Sequence, residues 1–301
     1  MQLVSGSSRN EGRRKRFEER RCAPRTYADW RQMLSVERPD VVSIATNSPY
    51  HAEITIGCAE AGVRAVFCEK PIATRLSDAD RAIQACRLHG TLLAVNHNRR
   101  WHPLWRDVRN EIAGGALGDV YHAMVHWSTG RLGNVGTHAF DALRFLLGAD
   151  ARAVSGTLDP RLRTDCRGED YCDPGGWGIV DFSNGVKGFV HASQDARQPF
   201  LLRVVGSRGQ VAVGSDTALF QPCDGPTRTL TVSPDRPSSM EVAVREIVRC
   251  VTDGGRPACA GEDGLAALEI IIGFHLSDRQ HAQWIPLPIG GSDRDLEVKI
   301  G

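Results

Sequence analysis

Between residues 40 and 98 the chain repeats one pattern, and that pattern narrows the possible folds more than any other feature. "DVVSIAT" (40–46), "RAVFCEKP" (64–71) and "TLLAVNHN" (91–98) each hold a short apolar or β-branched run, too brief for a helix and suited to strands buried on both faces. Between them, "PYHAEITIGCAEAG" and "LSDADRAIQACRLHG" carry apolar residues at helical spacing. Gly62 and Gly90 stand where helices should stop, and Ser77 with Asp80 three residues later predicts an N-cap and its capping box. Alternating strand and helix predicts right-handed βαβ units and a parallel sheet, with a ligand crevice beyond the carboxyl ends of the strands.

The residues at those strand ends are polar. Thr46, Asn47, Ser48 and His51 follow the first run, Glu69, Lys70 and Pro71 close the second, and Asn96, His97, Asn98, Arg99, Arg100 and His102 follow the third. A charged turn alone is most often solvated loop. Polar groups at three adjacent strand ends instead converge on one crevice.

Beyond "WHPLWRDVRNEIAGGALG", an amphipathic helix closed by glycines, the rhythm changes. "DVYHAMVHWS", "GGWGIVDFSNGVKGFVHAS", "LLRVVGSRGQVAVGSD" and "TRTLTVSP" alternate apolar with polar residues, and "SNG" and "SRGQ" are hairpin signals. A second domain on a largely antiparallel sheet is expected, finished by helices over 238–252 and 262–281 and an extended "QWIPLPI". The division falls at residues 1–98 and 99–301.

Lys plus Arg total 37 against 36 for Asp plus Glu, a balance without the electrostatic footprint of a nucleic-acid or anionic-membrane binder, so the expected partner is a small molecule. No apolar run approaches the roughly 20 residues that span a bilayer, and the Arg-rich start is unlike a secretory signal, which predicts a soluble, cytoplasmic protein. Nine cysteines without a C-x-x-C pair read as reduced structural thiols, Cys68 among them. His122 and His126 alternate on one strand without a third ligand at suitable spacing, and no metal site is expected.

The order "IATNSPYHAE", "CEKP", "NHNRRWHP", "GALGDV", "NVGTHAFDALRFLLG" and "GEDGLAALEI" resembles the Gfo/Idh/MocA family over nearly the whole chain. The resemblance implies an α/β Rossmann-like domain followed by an α+β domain. It also implies hydride transfer between NAD(P) and a sugar, cyclitol or related polyhydroxylated substrate. In that family the E-K-P lysine lies near the nicotinamide and the reacting hydroxyl, which implies this role for Lys70; a desolvated ammonium suits it chemically. "NVGTHAFD" matches the family's D-x-G-x-H-x-x-D, implying a proton-transfer or substrate role for His138, with Asp141 one helical turn on. Asn134 stands where many members carry aspartate. An amide positions a hydroxyl but cannot take its proton, so the base must be His138 or Lys70, or the substrate class differs. A catalytic His138 further predicts a rate that depends on pH near neutrality. Asn134, Asp141, Asn98, Arg99 and Trp101 are the substrate candidates, although Trp101 and Trp105 also read as packing. Ser7, Ser8, Arg9, Thr46, Asn47, Ser48, His51, Glu69, Lys70, Pro71 and Asn98 are the cofactor candidates.

A dinucleotide fold opens on a strand followed by G-x-G-x-x-G, whose glycines admit the pyrophosphate to a helix N-terminus. Here "MQLVSGSSRNEGRRKRFEERR" resembles the family's second strand and helix instead, so the first strand is missing from the pattern. Two expectations follow: a start inside a longer reading frame, or residues 2–6 paired directly with 40–46 and a lost phosphate site that weakens cofactor binding. Ser7, Ser8 and Arg9, with Arg13 and Arg14 a turn on, suit a ribose 2'-phosphate, which favours NADP while leaving NAD possible. Two other readings stay open: a non-redox binding or regulatory protein, and a lyase or glycosidase that oxidises its substrate transiently. The alternating strands predict an apolar outer sheet face and a homodimer or homotetramer built through about residues 118–235.

Overall fold

The computed structural model describes residues 2–21, 25–161, 165, 167–194, 198–233 and 235–300; Cys22 and Cys166 lie outside them. The N-terminal part holds two separate parallel sheets. The first joins β1 (Ser5–Ser7) to β2 (Arg25–Tyr27), with α1 (Glu11–Arg21) between them and α2 (Trp30–Glu37) after. Asn10 Oδ1 accepts from Arg13 N at 2.9 Å to start α1, and Asp29 Oδ1 accepts from Arg31 N at 3.0 Å to start α2. The second sheet, in the order β3-β4-β5, contains β3 (Val41–Ile44), β4 (Ala65–Cys68) and β5 (Leu92–Val95), joined by α3 (His51–Glu60) and α4 (Leu76–His89). All four residues of β4 are buried, as a continuous apolar run between two helical layers requires.

Two expectations are corrected here. β1 pairs with β2 and not with β3, so residues 2–6 do not close onto 40–46. β1 has the parallel partner at Arg25–Tyr27 on one side, and its other edge pairs with no strand among the described residues. Helix α4 begins at Leu76 after an extended Arg75, which places Ser77 inside the first turn rather than at the cap; the fully buried Leu76 anchors that turn. Asp80 pairs with Arg294 at 2.5 Å instead of closing a capping box. Gly90 does end α4, at φ +68°, a conformation that L side chains rarely adopt.

The rest of the chain comprises α5 (Pro103–Ala113), β6 (Val120–His126), α6 (Gly136–Leu147), β7 (Ala151–Leu158), β8 (Gly176–Phe182), β9 (Lys187–Ala192), β10 (Leu201–Gly206), β11 (Gly209–Val213), β12 (Thr217–Pro222), β13 (Arg228–Thr231), α7 (Ser239–Asp253), α8 (Gly261–Arg279) and β14 (Ile285–Pro286). The strands form one nine-stranded sheet in the order β13-β12-β11-β10-β6-β9-β8-β7-β14, antiparallel throughout except for the parallel pair β6·β9. Helices α6 and α8 cover one face, where the Phe140 and Phe274 rings stack at 5.5 Å. The opposite face presents Met124, Phe189 and Trp177, 45%, 41% and 38% exposed.

The last helices return to the first domain. Val95 N donates to Cys259 O at 3.1 Å, and Ala260 bridges Ala94 in antiparallel sense, so residues 259–260 run beside β5. Helix α8 then approaches so closely that a Cβ on Gly264 would lie 2.8 Å from Val95 Cγ2. This contact packs α8 against β5 of the parallel sheet.

Candidate active site

Lys70 sits where β4 runs out. Glu69 N still donates to Ile44 O at 2.9 Å and Asn96 N to Cys68 O at 2.8 Å, so Lys70 is the first residue released from the ladder. The bond to Pro71 is cis. Its Nζ donates to Asn134 O at 2.9 Å and to Asn134 Oδ1 at 3.3 Å, which ties the parallel sheet to the loop before α6. Burial lowers the Lys70 ammonium to about 8; Glu69 opposes the shift while Arg167 and Arg131 add to it. An amine poised there exchanges its proton near neutral pH.

The loop facing Lys70 is held by a residue the sequence did not flag. Buried Asp173 accepts from Gly133 N and Asn134 N, both at 2.7 Å, and burial raises its carboxyl to about 6. Thr129 and Arg131 take left-handed φ angles of 73° and 63°, and Trp127 Nε1 donates to Gly130 O at 2.6 Å across the turn. Arg131 Nη2 lies 3.3 Å from Asp165. The residues "CDPGG" around Asp173 carry a turn signal, but nothing in them announces a partner 40 residues earlier, the separation that its bond to Gly133 N spans.

His138 lies in the first turn of α6, its ring edge-on to His97 at 5.8 Å, and its Nδ1 is buried without a partner. Burial, then the charges of Arg99, Lys70 and His97, hold the imidazole well below its ordinary pKa. The expected titration of His138 near neutrality therefore gives way to a neutral ring, and Lys70 and Asp173, at about 8 and about 6, flank that range instead.

Two substrate candidates belong to the framework instead. Asp141 is fully buried and accepts from Arg100 Nε at 2.9 and 3.0 Å and pairs with Arg100 Nη2 at 2.8 Å, so its charge is spent on a guanidinium. Trp101 is fully buried, edge-on to Phe67 at 5.7 Å, and its indole N–H reaches Glu246 on α7 at 2.8 Å. His97, Asp141 and Cys259 bring three possible metal-ligand atoms within 4.8 Å of one another. With Asp141 committed to Arg100, and the Cys259 thiol pushed well up by burial, that group reads as core. Asn98 remains exposed in the turn after β5, and Arg99 lies with its guanidinium over Phe200 at 4.2 Å and Trp105 at 5.2 Å.

Among the cofactor candidates, His51 is a strut. At 1% exposure its Nδ1 lies 2.7 Å from Pro71 O and its Nε2 3.1 Å from Thr46 O, joining the ends of β3 and β4. Pro71 and Ser48 are buried, and Glu69 Oε1 accepts from Asn96 Nδ2 at 2.7 Å. Thr46 and Asn47 are exposed, with Asn47 Nδ2 donating to the Tyr171 hydroxyl at 3.0 Å. Across the crevice, Ser7 and Arg9 are exposed and Ser8 is half-buried at the end of β1, and the Arg9 guanidinium lies 4.9 Å over the Tyr50 ring. Arg14 turns back to donate to Ser8 O at 2.6 Å and Arg9 O at 3.1 Å. Arg13 stays on the exposed side of α1. The donor set fits the two ends of a nicotinamide dinucleotide: hydroxyls and a guanidinium at the end of β1, a desolvated lysine with Asn96 and Glu69 at the ends of β4 and β5.

A parallel sheet with a polar crevice at its strand ends, closed by a loop from an antiparallel domain, defines a dinucleotide-dependent two-domain enzyme. Residues 1–97 match the family model of the oxidoreductase family with an NAD-binding Rossmann fold, and residues 126–212 match the GFO/IDH/MocA C-terminal domain. The chain belongs to the Gfo/Idh/MocA family of oxidoreductases. It is 30% identical over 290 residues to D-apiose dehydrogenase of Paraburkholderia graminis, covering 85% of this chain and 75% of that protein. It is 24% identical over 291 residues to myo-inositol 2-dehydrogenase of Thermotoga maritima, covering 88% and 85%. The fold matches aldose-aldose oxidoreductase from Caulobacter crescentus, complexed with glycerol, at a TM-score of 0.84 and 21% identity over 95% of this chain and 92% of that one. Levoglucosan dehydrogenase in complex with NADH and levoglucosan matches at 0.84 and 20% identity, covering 95% and 90%. Among the described residues no helix is long and apolar enough to cross a membrane.

Proposed function

We propose that this enzyme moves a hydride between a nicotinamide dinucleotide and a CH–OH group of a sugar, cyclitol or related polyol. In the oxidative direction the secondary alcohol loses a hydride and a proton to become a carbonyl. A bound nicotinamide supplies the hydride acceptor. The observation that carries the reading is Lys70: a desolvated amine at a strand's carboxyl end, with Nζ 2.9 Å from the carbonyl of Asn134. Lys70 takes the hydroxyl proton, Asn134 and Asn98 orient the substrate, and neutral His138 hydrogen-bonds a neighbouring hydroxyl. Ser7, Ser8 and Arg9 receive the adenosine ribose, and a guanidinium with two hydroxyls favours the 2'-phosphate of NADP over NAD. Thr46 and Asn47 flank the middle of the dinucleotide.

Replacing Lys70 with Ala should cut turnover by about 100-fold or more while leaving the circular dichroism spectrum intact. Unchanged turnover would sink the assignment. Following the absorbance of reduced cofactor separates this reading from a lyase or glycosidase: net oxidation changes it stoichiometrically, whereas transient oxidation leaves it flat.

The exposed sheet face supports assembly. Met124, Phe189 and Ile179 pair side by side across β6, β9 and β8, an apolar row of the kind that a second copy covers. We read the protein as a homodimer or homotetramer through this face, and as cytoplasmic; light scattering that finds a monomer at micromolar concentration would reject the assembly.

A further inference from the structure

Arg99 stands apart from the other cations of the site. Lys70 bonds to Asn134, Arg100 is neutralised by Asp141 and Asp263, and Arg131 lies against Asp165. Among the described residues the Arg99 guanidinium has no hydrogen bond or ion pair; it lies over the faces of Phe200 and Trp105, at 4.2 and 5.2 Å. Burial weakens its hold on its proton, to about 10. A half-buried guanidinium with no carboxylate in contact loses hydration, and a cation over a ring recovers only part of the loss. Stacking occupies the flat face and leaves the in-plane fork of N–H donors available, the edge that grips a carboxylate or phosphate through two parallel bonds.

The surroundings are unfinished in the same way. Of the charges acting on His138, whose Nδ1 is buried without a partner among the described residues, Arg99 has the largest effect, and it also acts on His102, whose Nδ1 is likewise unpartnered. Gln198 Nε2, two residues along the chain from Phe200, is a buried donor with no acceptor among the described residues. Unsatisfied buried polar atoms are rare in folded proteins, and several around one unpaired guanidinium call for a polar occupant that carries negative charge.

We propose that the substrate is an acidic sugar, whose carboxylate or phosphate is held by the fork of Arg99 while one of its hydroxyls faces Lys70. This rests on the hydride-transfer reading above and adds the substrate's charge to it. The alcohol carbon gives a hydride to the oxidised nicotinamide and its hydroxyl proton to Lys70; the acidic group is unchanged.

The test compares D-glucose, D-glucuronate, D-gluconate and D-glucose 6-phosphate, with matched pentose and galacto forms, by calorimetric titration and by cofactor reduction. An acidic member should bind at least about tenfold more tightly than its neutral parent, a preference that falls as salt is raised. The uronate and aldonate arms separate a carboxylate from the phosphate. Arg99→Met should erase the preference and Arg99→Lys keep part of it. Neutral parents that bind as well as their acids overturn the proposal in the unmodified protein, whether or not the variants fold. So does a folded Arg99→Met that keeps the preference. A neutral sugar oxidised with no acid preferred rejects the acidic substrate and leaves hydride transfer standing. Tight acid binding without any cofactor reduction upholds the anion site and rejects hydride transfer.

Discussion

The two small parallel sheets flank the same crevice and are built differently. β4 is buried at every residue and paired on both sides, whereas β1 is partly exposed along its length and paired only with β2. One end of the crevice is therefore anchored in the core, through Lys70, Asn96 and the Asp141–Arg100 pair. The other is carried by short strands and charged surface around Ser8 and Arg9. The difference separates a core-anchored side, which holds Lys70, from a side built of short, partly exposed strands.

The heaviest blow to the core-anchored side is Asp141→Ala. It would strand Arg100 in the core, and loss of one partner of a buried pair costs about 3 to 5 kcal/mol, readable as a lowered urea midpoint. A change below about 1 kcal/mol would mean that Asp263 alone can neutralise Arg100. Hydrogen exchange tests the contrast directly: amides of Val66 and Phe67 should exchange about 100-fold more slowly than those of Gly6 and Thr26. Equal protection would make the two sheets one cooperative unit.

The pH profile comes next in size. Lys70 must be unprotonated to accept the alcohol proton, so kcat/KM for oxidation should rise about tenfold per pH unit below about 8 and level off above it. In the reductive direction the sign reverses, because the protonated amine is then the donor. A profile that breaks near 6 would point to Asp173, whose carboxyl lies there. The smallest effect belongs to the partly exposed side: Arg9→Ala should reduce the preference for NADPH over NADH by about three- to tenfold, with kcat little changed. An unaltered ratio would take the 2'-phosphate away from Arg9.

The parallel triple was legible because each strand is a short apolar run stopped by turn-forming residues, a local signal. β7, "ARAVSGTL", was missed: its pattern is weak, and it becomes a strand by pairing with β8 and lying under α8. Trp101 and Asp141 were placed at the substrate by position in a motif. A motif gives spacing but not the face on which a side chain closes, and both found buried partners on other elements, Glu246 and Arg100. Asp173 and Arg131 act through a loop whose shape depends on contacts distant in sequence.

The single parallel pair in the large sheet bears on how this enzyme comes into being. β6 lies between β9 and β10, matching His122 with Lys187 and Val125 with Leu202, whereas β8 with β9 and β10 with β11 are neighbouring hairpins that can zip locally. Closing long loops precedes the reward of non-local pairing, so topology predicts that β6 joins after those hairpins form. The segment that carries Arg131 and Asn134 leaves directly from the end of β6. On that order the loop bearing Asn134, the partner of Lys70, takes its final place only once the strands flanking β6 have been made.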